Sequence, residues 1–193
     1  MSKQKKLEKL NKKMSVCNNC KLRKNCSHVV FGAGNPEAKI IFIGEAPGKK
    51  EDELGVPFVG STGRILDKML ASIKIKREDV YLTNICKCRP PENRDPLPEE
   101  VAECWPWLEK QIAIISPTII ITLGKYALNS FLPTAKISEV HGKIIDVEIK
   151  KIGKIKLFPL HHPAAARINR KTKALFEEDF QKIPNLLQSK KEQ

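Results

Sequence analysis

Six cysteines are the residues whose types and spacing most directly suggest chemistry. Four of them form two spaced pairs, Cys17-x2-Cys20 and Cys88-x15-Cys104. The Lys-rich start has no apolar stretch behind it, so it does not read as a secretory signal, and a reducing, cytoplasmic setting is expected. There, spaced thiols are metal ligands more often than disulfides. Four thiolates suit zinc or an iron–sulfur cluster. The spacing matches no common zinc-finger pattern and does not name the metal. Cys86 competes with Cys88 as a ligand, and Cys26 is a further candidate; a buried or incidental thiol is the competing reading for both.

A second group of candidates follows short apolar runs. Gly44-Glu45-Ala46-Pro47-Gly48 comes after KIIFIG, Asn84 ends VYLTN, Gly124-Lys125 follows TIIITL, and His161-His162-Pro163 follows KLFPL. A carboxylate, an amide and imidazoles converging on one edge are the parts of an active site. The glycine-bearing loop lets backbone N–H groups approach a ligand, but it lacks the G-K-[ST] ending of a phosphate-binding loop. Asn84 offers a donor and an acceptor side by side, as the edge of a nucleobase requires. Phe58 is a candidate stacking platform, with a plain core phenylalanine as the competing reading. Ser61-Thr62-Gly63 opens a helical pattern and is a candidate phosphate contact, against simple capping.

The elements that must position these residues are legible in the pattern. Runs 39–44, 80–84, 118–123 and 156–160 are continuously apolar, which fits parallel strands covered on both faces. Helical stripes lie between them: Ile65, Leu66, Met69, Leu70, Ile73, and then Val101, Trp105, Leu108, Ile112, Ile115, the second expected to kink or shorten at Pro106. Residues 125–131 and 173–187 read as further helices, and 144–149 as an extra strand turning at 151–154 into the fourth core strand. The expected fold is a single domain over 1–193, with a basic arm at 1–13 and a polar tail at 188–193. Its class is α/β, three layers α/β/α around a central four-stranded parallel sheet. In such sheets ligands bind at the carboxyl ends of the strands, where Glu45, Asn84 and His162 would meet.

Net charge is +13, and the basic residues cluster at 3–13, 21–24, 150–156 and 167–173. A field of that sign attracts nucleic acid; the competing reading is a solubilising surface of thermophile-like composition. No apolar run approaches the ~20 residues needed to span a bilayer.

Taken together, Cys17-x2-Cys20, Val30-Phe-Gly-Ala-Gly-Asn35, Gly44-Glu-Ala-Pro-Gly48, Pro57-Phe-Val-Gly60, Thr83-Asn84, Lys87-Cys-Arg-Pro-Pro91, Asn93-Arg-Asp95, Cys104 and His162-Pro-Ala164 resemble family 4 uracil-DNA glycosylases over roughly residues 14 to 187. The resemblance implies a structural [4Fe–4S] cluster on Cys17, Cys20, Cys88 and Cys104, with Cys26 and Cys86 outside it. It implies hydrolysis of the bond between uracil and deoxyribose in single- or double-stranded DNA, releasing free uracil. A non-catalytic iron–sulfur or zinc protein that binds nucleic acid is the alternative.

Under that resemblance the base is flipped into a pocket. Phe58 stacks on it, Asn84 reads its edge, and the Gly44–Glu45–Ala46 backbone holds a carbonyl. His162 donates to the developing oxyanion. Glu45 orients water or the pocket backbone, while Glu51 is expected to line the pocket and exclude the thymine methyl. The acid after Gly44 separates the chain from family 5 and favours strict uracil preference. Ser61, Thr62, Gly63, Lys125 and Arg167 are candidate DNA contacts, with Arg167 and Ile168 in the loop expected to enter the minor groove. The protein is expected to act as a monomer. A replication clamp is a candidate partner for the N-terminal lysines, against simple solvation.

Overall fold

The structure is a computed structural model, and it describes residues 1–188. All but the first residue of the polar tail at 188–193 lies outside the described residues.

Four parallel strands form the centre of the sheet: β2 (Ile40–Gly44), β3 (Tyr81–Asn84), β4 (Ile119–Leu123) and β6 (Gly153–Leu160), in the order β3-β2-β4-β6. Two antiparallel strands extend it to six. β1 (Ala33–Gly34) pairs with β3, and β5 (Ile145–Ile149) pairs with β6. The four-stranded expectation is therefore corrected to a mixed six-stranded sheet. β5 was legible as an extra strand; β1, only two residues long, carries no periodicity to read. Short antiparallel edges of this kind limit unwanted pairing.

Helices cover both faces. They are α1 (Lys3–Met14), α2 (Lys49–Leu54), α3 (Ser61–Ser72), α4 (Pro98–Ile115), α5 (Lys125–Asn129), α6 (Ile137–Val140), α7 (Pro163–Ile168), α8 (Arg170–Phe180) and α9 (Ile183–Gln188). One buried cluster joins Leu7, Leu10 and Met14 of α1 to Leu108, Ile112 and Ile115 of α4 and to Ile41, Ile43 and Ile120 of the sheet. The other packs Leu66, Met69 and Leu70 of α3 and Phe176 and Phe180 of α8 against Phe42, Ile121 and Phe158.

Three helical expectations need correction. The basic arm is a helix: Leu7, Leu10 and Met14 recur at helical spacing and are buried, while the lysines face outward. α4 neither stops nor shortens at Pro106 and runs its full length from a proline at its first position. The last helix is two, because Pro184 belongs in a first turn and cannot continue α8. No helix among the described residues is long and apolar enough to cross a membrane.

Candidate active site

The parallel strands deliver Gly44, Asn84 and His162 to one edge. Gly44 and Asn84 are paired in register at the ends of β2 and β3. A Cβ on Gly44 would come within 2.5 Å of Asn84 Oδ1 and 2.8 Å of Phe58 Cζ. The strand end, the amide and the aromatic ring therefore converge on one point, and only glycine leaves room there. Asn84 and Phe58 are both buried, at 4% and 5% exposure.

Phe58 holds a left-handed backbone, φ 54°, which an aromatic residue rarely adopts. Its neighbours explain why it is kept there. Glu51 Oε1 accepts from the N–H of Val59 at 2.9 Å and of Gly60 at 2.7 Å. A Cβ on Gly63 would overlap the Phe58 carbonyl, so α3 starts hard against the same loop. Glu51 thus braces the loop that carries Phe58. Gly63 is buried behind Phe58, while Ser61 is exposed and Thr62 half-buried.

Of the two histidines, only His162 faces the cleft, which Glu45, Ala46, Pro47, Gly48, Pro90, Asn93 and Arg94 also line. His162 caps α7, and its Nδ1 accepts from the Ala164 N–H at 3.2 Å. That bond leaves the proton on Nε2, so the free face of the ring is a donor. Burial pushes the His162 pKa down to about 4, keeping the ring neutral at physiological pH. Gly124, with φ +87°, lets the ring approach: a Cβ there would stand 2.9 Å from His162 Cβ. His161 instead stacks on His141, ring centres 4.7 Å apart, and His141 Nδ1 lies 2.5 Å from Asp179 Oδ2.

Glu45 is half-buried at the cleft. Burial pushes its carboxyl up to about 7, the charge of Asp95 adds to the rise, and Lys125 opposes it. Asp95 accepts from the Tyr126 hydroxyl, and Lys125 Nζ sits 4.5 Å over the Tyr126 ring. Lys125 is thus exposed beside the cleft. Arg167 is also exposed, but it borders a separate groove with Ile65, Lys68, Met69, Lys173 and Phe176. Asn93 and Arg94 are cleft residues to which sequence reasoning assigned no role; their loop is fixed where Arg94 clamps Glu100 through both oxygens, at 2.8 and 2.7 Å.

Cys17, Cys20, Cys88 and Cys104 line one small cavity together with Met14, Leu22, Lys87 and Trp107. Three elements meet there: the end of α1, the loop after β3, and α4. Among the described residues no three His, Cys, Asp or Glu side chains are grouped to hold a metal ion. The Lys87 N–H donates to Cys104 Sγ at 3.2 Å. A hydrogen bond from Cys86 pulls the Cys104 thiol down to about 7, with the Lys87 charge and N–H in support. The free Cys26 thiol is in hydrogen-bonding contact with Cys88, and its loop is tied to α2 where Asp52 Oδ1 accepts from the N–H of Ser27 and His28, at 2.9 and 3.3 Å.

This sheet and this strand-end site define a glycosylase-like α/β class, and the chain belongs to the uracil DNA glycosylase superfamily, whose family profile matches residues 31–187. Individual relatives sharpen that placement. A Type-4 uracil-DNA glycosylase from Archaeoglobus fulgidus is 44% identical over 93% of this chain and 92% of its own length. One of the same name from Sulfurisphaera tokodaii is 42% identical over 93% of this chain and 84% of its own length. A third, from Thermotoga maritima, is 40% identical over 94% of both chains.

Proposed function

We propose that this protein is a DNA repair hydrolase that cleaves the N-glycosidic bond of uracil in DNA, releasing uracil and leaving an abasic site. The observation that carries the reading is the convergence of Asn84 and Phe58 on Gly44, beside the neutral donor His162. Phe58 offers a face to a flipped base, and Asn84 offers one donor and one acceptor to its edge. Cytosine presents the reverse pattern at that edge and is rejected.

When the bond from C1′ to N1 breaks, its electron pair stays on uracil and the sugar becomes cationic. His162 Nε2–H donates to the uracil oxygen on which charge grows; one preorganised donor of this kind is worth ~3 kcal/mol. Water then bonds to C1′, and its proton passes to a base. Glu45 is the acid of the cleft suited to orient that water and stabilise the cation, and its raised pKa leaves it partly ionised near neutrality. Lys125, the exposed Ser61 and the half-buried Thr62 supply the phosphate contacts. Wild-type protein incubated with a uracil-containing oligonucleotide and treated with alkali is expected to give one cleavage product. A fully metallated preparation that binds the oligonucleotide and gives no product would favour the non-catalytic alternative.

For the cysteines, we infer a [4Fe–4S] cluster from the resemblance to family 4 glycosylases. Four thiols line one cavity, a donor set that such a cluster takes. A cluster on Cys17, Cys20, Cys88 and Cys104 would cross-link the three elements that meet there and take no part in bond cleavage.

A further inference from the structure

One buried cation has no part in the site as described. Lys87 is 1% exposed, a rare place for an ammonium unless it is paired. Its Nζ donates to Thr83 Oγ1 at 2.6 Å, to the Asn84 carbonyl at 2.7 Å and to Gln111 Oε1 at 2.6 Å. All three donors are used, and all three acceptors are neutral. Hydrogen bonding is complete while the charge is not compensated. Among the described residues no carboxylate forms an ion pair with it. The acidic groups around it are thiols. Lys87 stands between Cys86 and Cys88 in the chain, donates its N–H to Cys104 Sγ, and lines the cavity of the four cysteines.

Its other side holds the strand end that carries Asn84. The remaining acceptors are themselves fixed, because Thr83 Oγ1 and Gln111 Nε2 both donate to the Phe31 carbonyl, at 2.9 and 2.8 Å. Lys87 is therefore a rigid bridge, its backbone N–H on Cys104 at the cysteine cavity and its ammonium on the Asn84 peptide.

We propose that Lys87 is the internal counter-charge of the thiolate cage and, through the Asn84 carbonyl, the positioning residue that aligns the uracil-reading amide. The proposal rests on the reading that the cysteines hold a cluster and that Asn84 reads uracil. A buried positive charge beside a cluster stabilises its more reduced, more negative state and raises its reduction potential. Loss of the same group frees the Asn84 peptide, and displacement by ~1 Å is enough to weaken a positioned contact.

The test is Lys87→Met in the full chain, prepared without oxygen beside wild type. Lys87→Met keeps most of the stem and removes both charge and donors. Three changes are expected. The midpoint potential of the cluster shifts to more negative values. Iron is lost to a chelator about tenfold faster, and kcat/KM for uracil falls about ten- to a hundredfold. The ratio of uracil to cytosine excision narrows in parallel. If Lys87→Met does not fold, Lys87→Gln, neutral but polar, is read on the same scale. A potential or a uracil preference that stays at the wild-type value in the folded variant overturns the role of Lys87, while wild type still carries iron and excises uracil. Wild type purified without iron overturns the cluster reading and this proposal together.

Discussion

Glu51 and Gly60 are joined by a 2.7 Å hydrogen bond from the Gly60 N–H to Glu51 Oε1, in a place where both residues are buried. The bond spans the two segments flanking the proposed uracil site, the helix after the Glu45 loop and the turn that holds Phe58. A carboxylate committed in this way supports the pocket from behind. Glu51→Ala strands two N–H groups and is expected to cost about 1–3 kcal/mol for a buried group left unsatisfied. Phe58 should relax out of its left-handed conformation, so KM rises. Glu51→Gln, which keeps the accepting oxygen, should recover most of both. The ratio of uracil to thymine excision should not move; gained thymine excision would restore the pocket-lining role.

Gly44→Ala places a methyl group against Asn84 Oδ1 and the Phe58 ring. Both must be displaced, and both belong to the proposed base pocket. Excision by Gly44→Ala is expected to fall at least a hundredfold, with a change in Tm of only a few degrees. A paired activity and melting measurement checks this. Activity within tenfold of wild type would mean the base does not sit at that point.

Glu45 makes the pH dependence specific. Its carboxyl has an ordinary value of 4.5 and is raised to about 7 in the folded protein, chiefly by burial. If the ionised form orients water, activity rises with pH and levels off above about 7, and Glu45→Gln abolishes that limb along with most of the rate. Stability runs the other way. Between 4.5 and 7 the folded state binds more protons than the unfolded state, so stability falls as pH rises through this window. Glu45→Gln should melt near wild type at pH 4.5 and several degrees higher at pH 8.

His162 is expected to contribute no ionisation above about pH 4, since burial holds it neutral. His162→Ala should lower kcat about a hundred- to a thousandfold, the range for one lost oxyanion donor, without shifting the limb assigned to Glu45. His161→Ala, on the far side of the strand end, should retain most of the rate. A pH–rate profile of each variant separates the two neighbours.

The six cysteines should divide four to two. Replacing Cys17, Cys20, Cys88 or Cys104 by Ala should abolish iron binding and lower Tm, because metal bound only by the folded state adds its binding free energy to stability. Cys26→Ala and Cys86→Ala should keep iron, at a smaller cost from lost packing. Iron per chain and visible absorbance read the outcome directly.

Much of the site was legible in the chain because it is made of strand ends. Continuous apolar runs announce buried parallel strands, and whatever follows them must lie on one edge; Gly44, Asn84 and His162 required nothing more. Other features had no local signal. Lys87 reads as a surface lysine in any window, yet it is buried between the end of β3 and α4, bonded to Asn84, Cys104 and Gln111. Glu51 and Asp52 look like an exposed acidic first turn, but each turns inward to backbone N–H groups beyond its own helix. Asn93 and Arg94 enter the cleft only because Glu100 anchors their loop.

The sequence by itself determined the strand–helix alternation, the family and the residue types at the catalytic edge, since these depend on periodicity and local motif. Only the tertiary structure decided which histidine faces the cleft, which carboxylate is free, and that the N-terminal lysines ride on a packed helix. Those choices depend on how the side chains are oriented by backbone N–H groups and by neighbours such as Gly124 that the fold brings close, and the periodicity of the chain does not encode them. His162 became the donor through Ala164 and Gly124, Glu51 was taken up by Val59 and Gly60, and Glu45 was left in the cleft with its proton affinity raised.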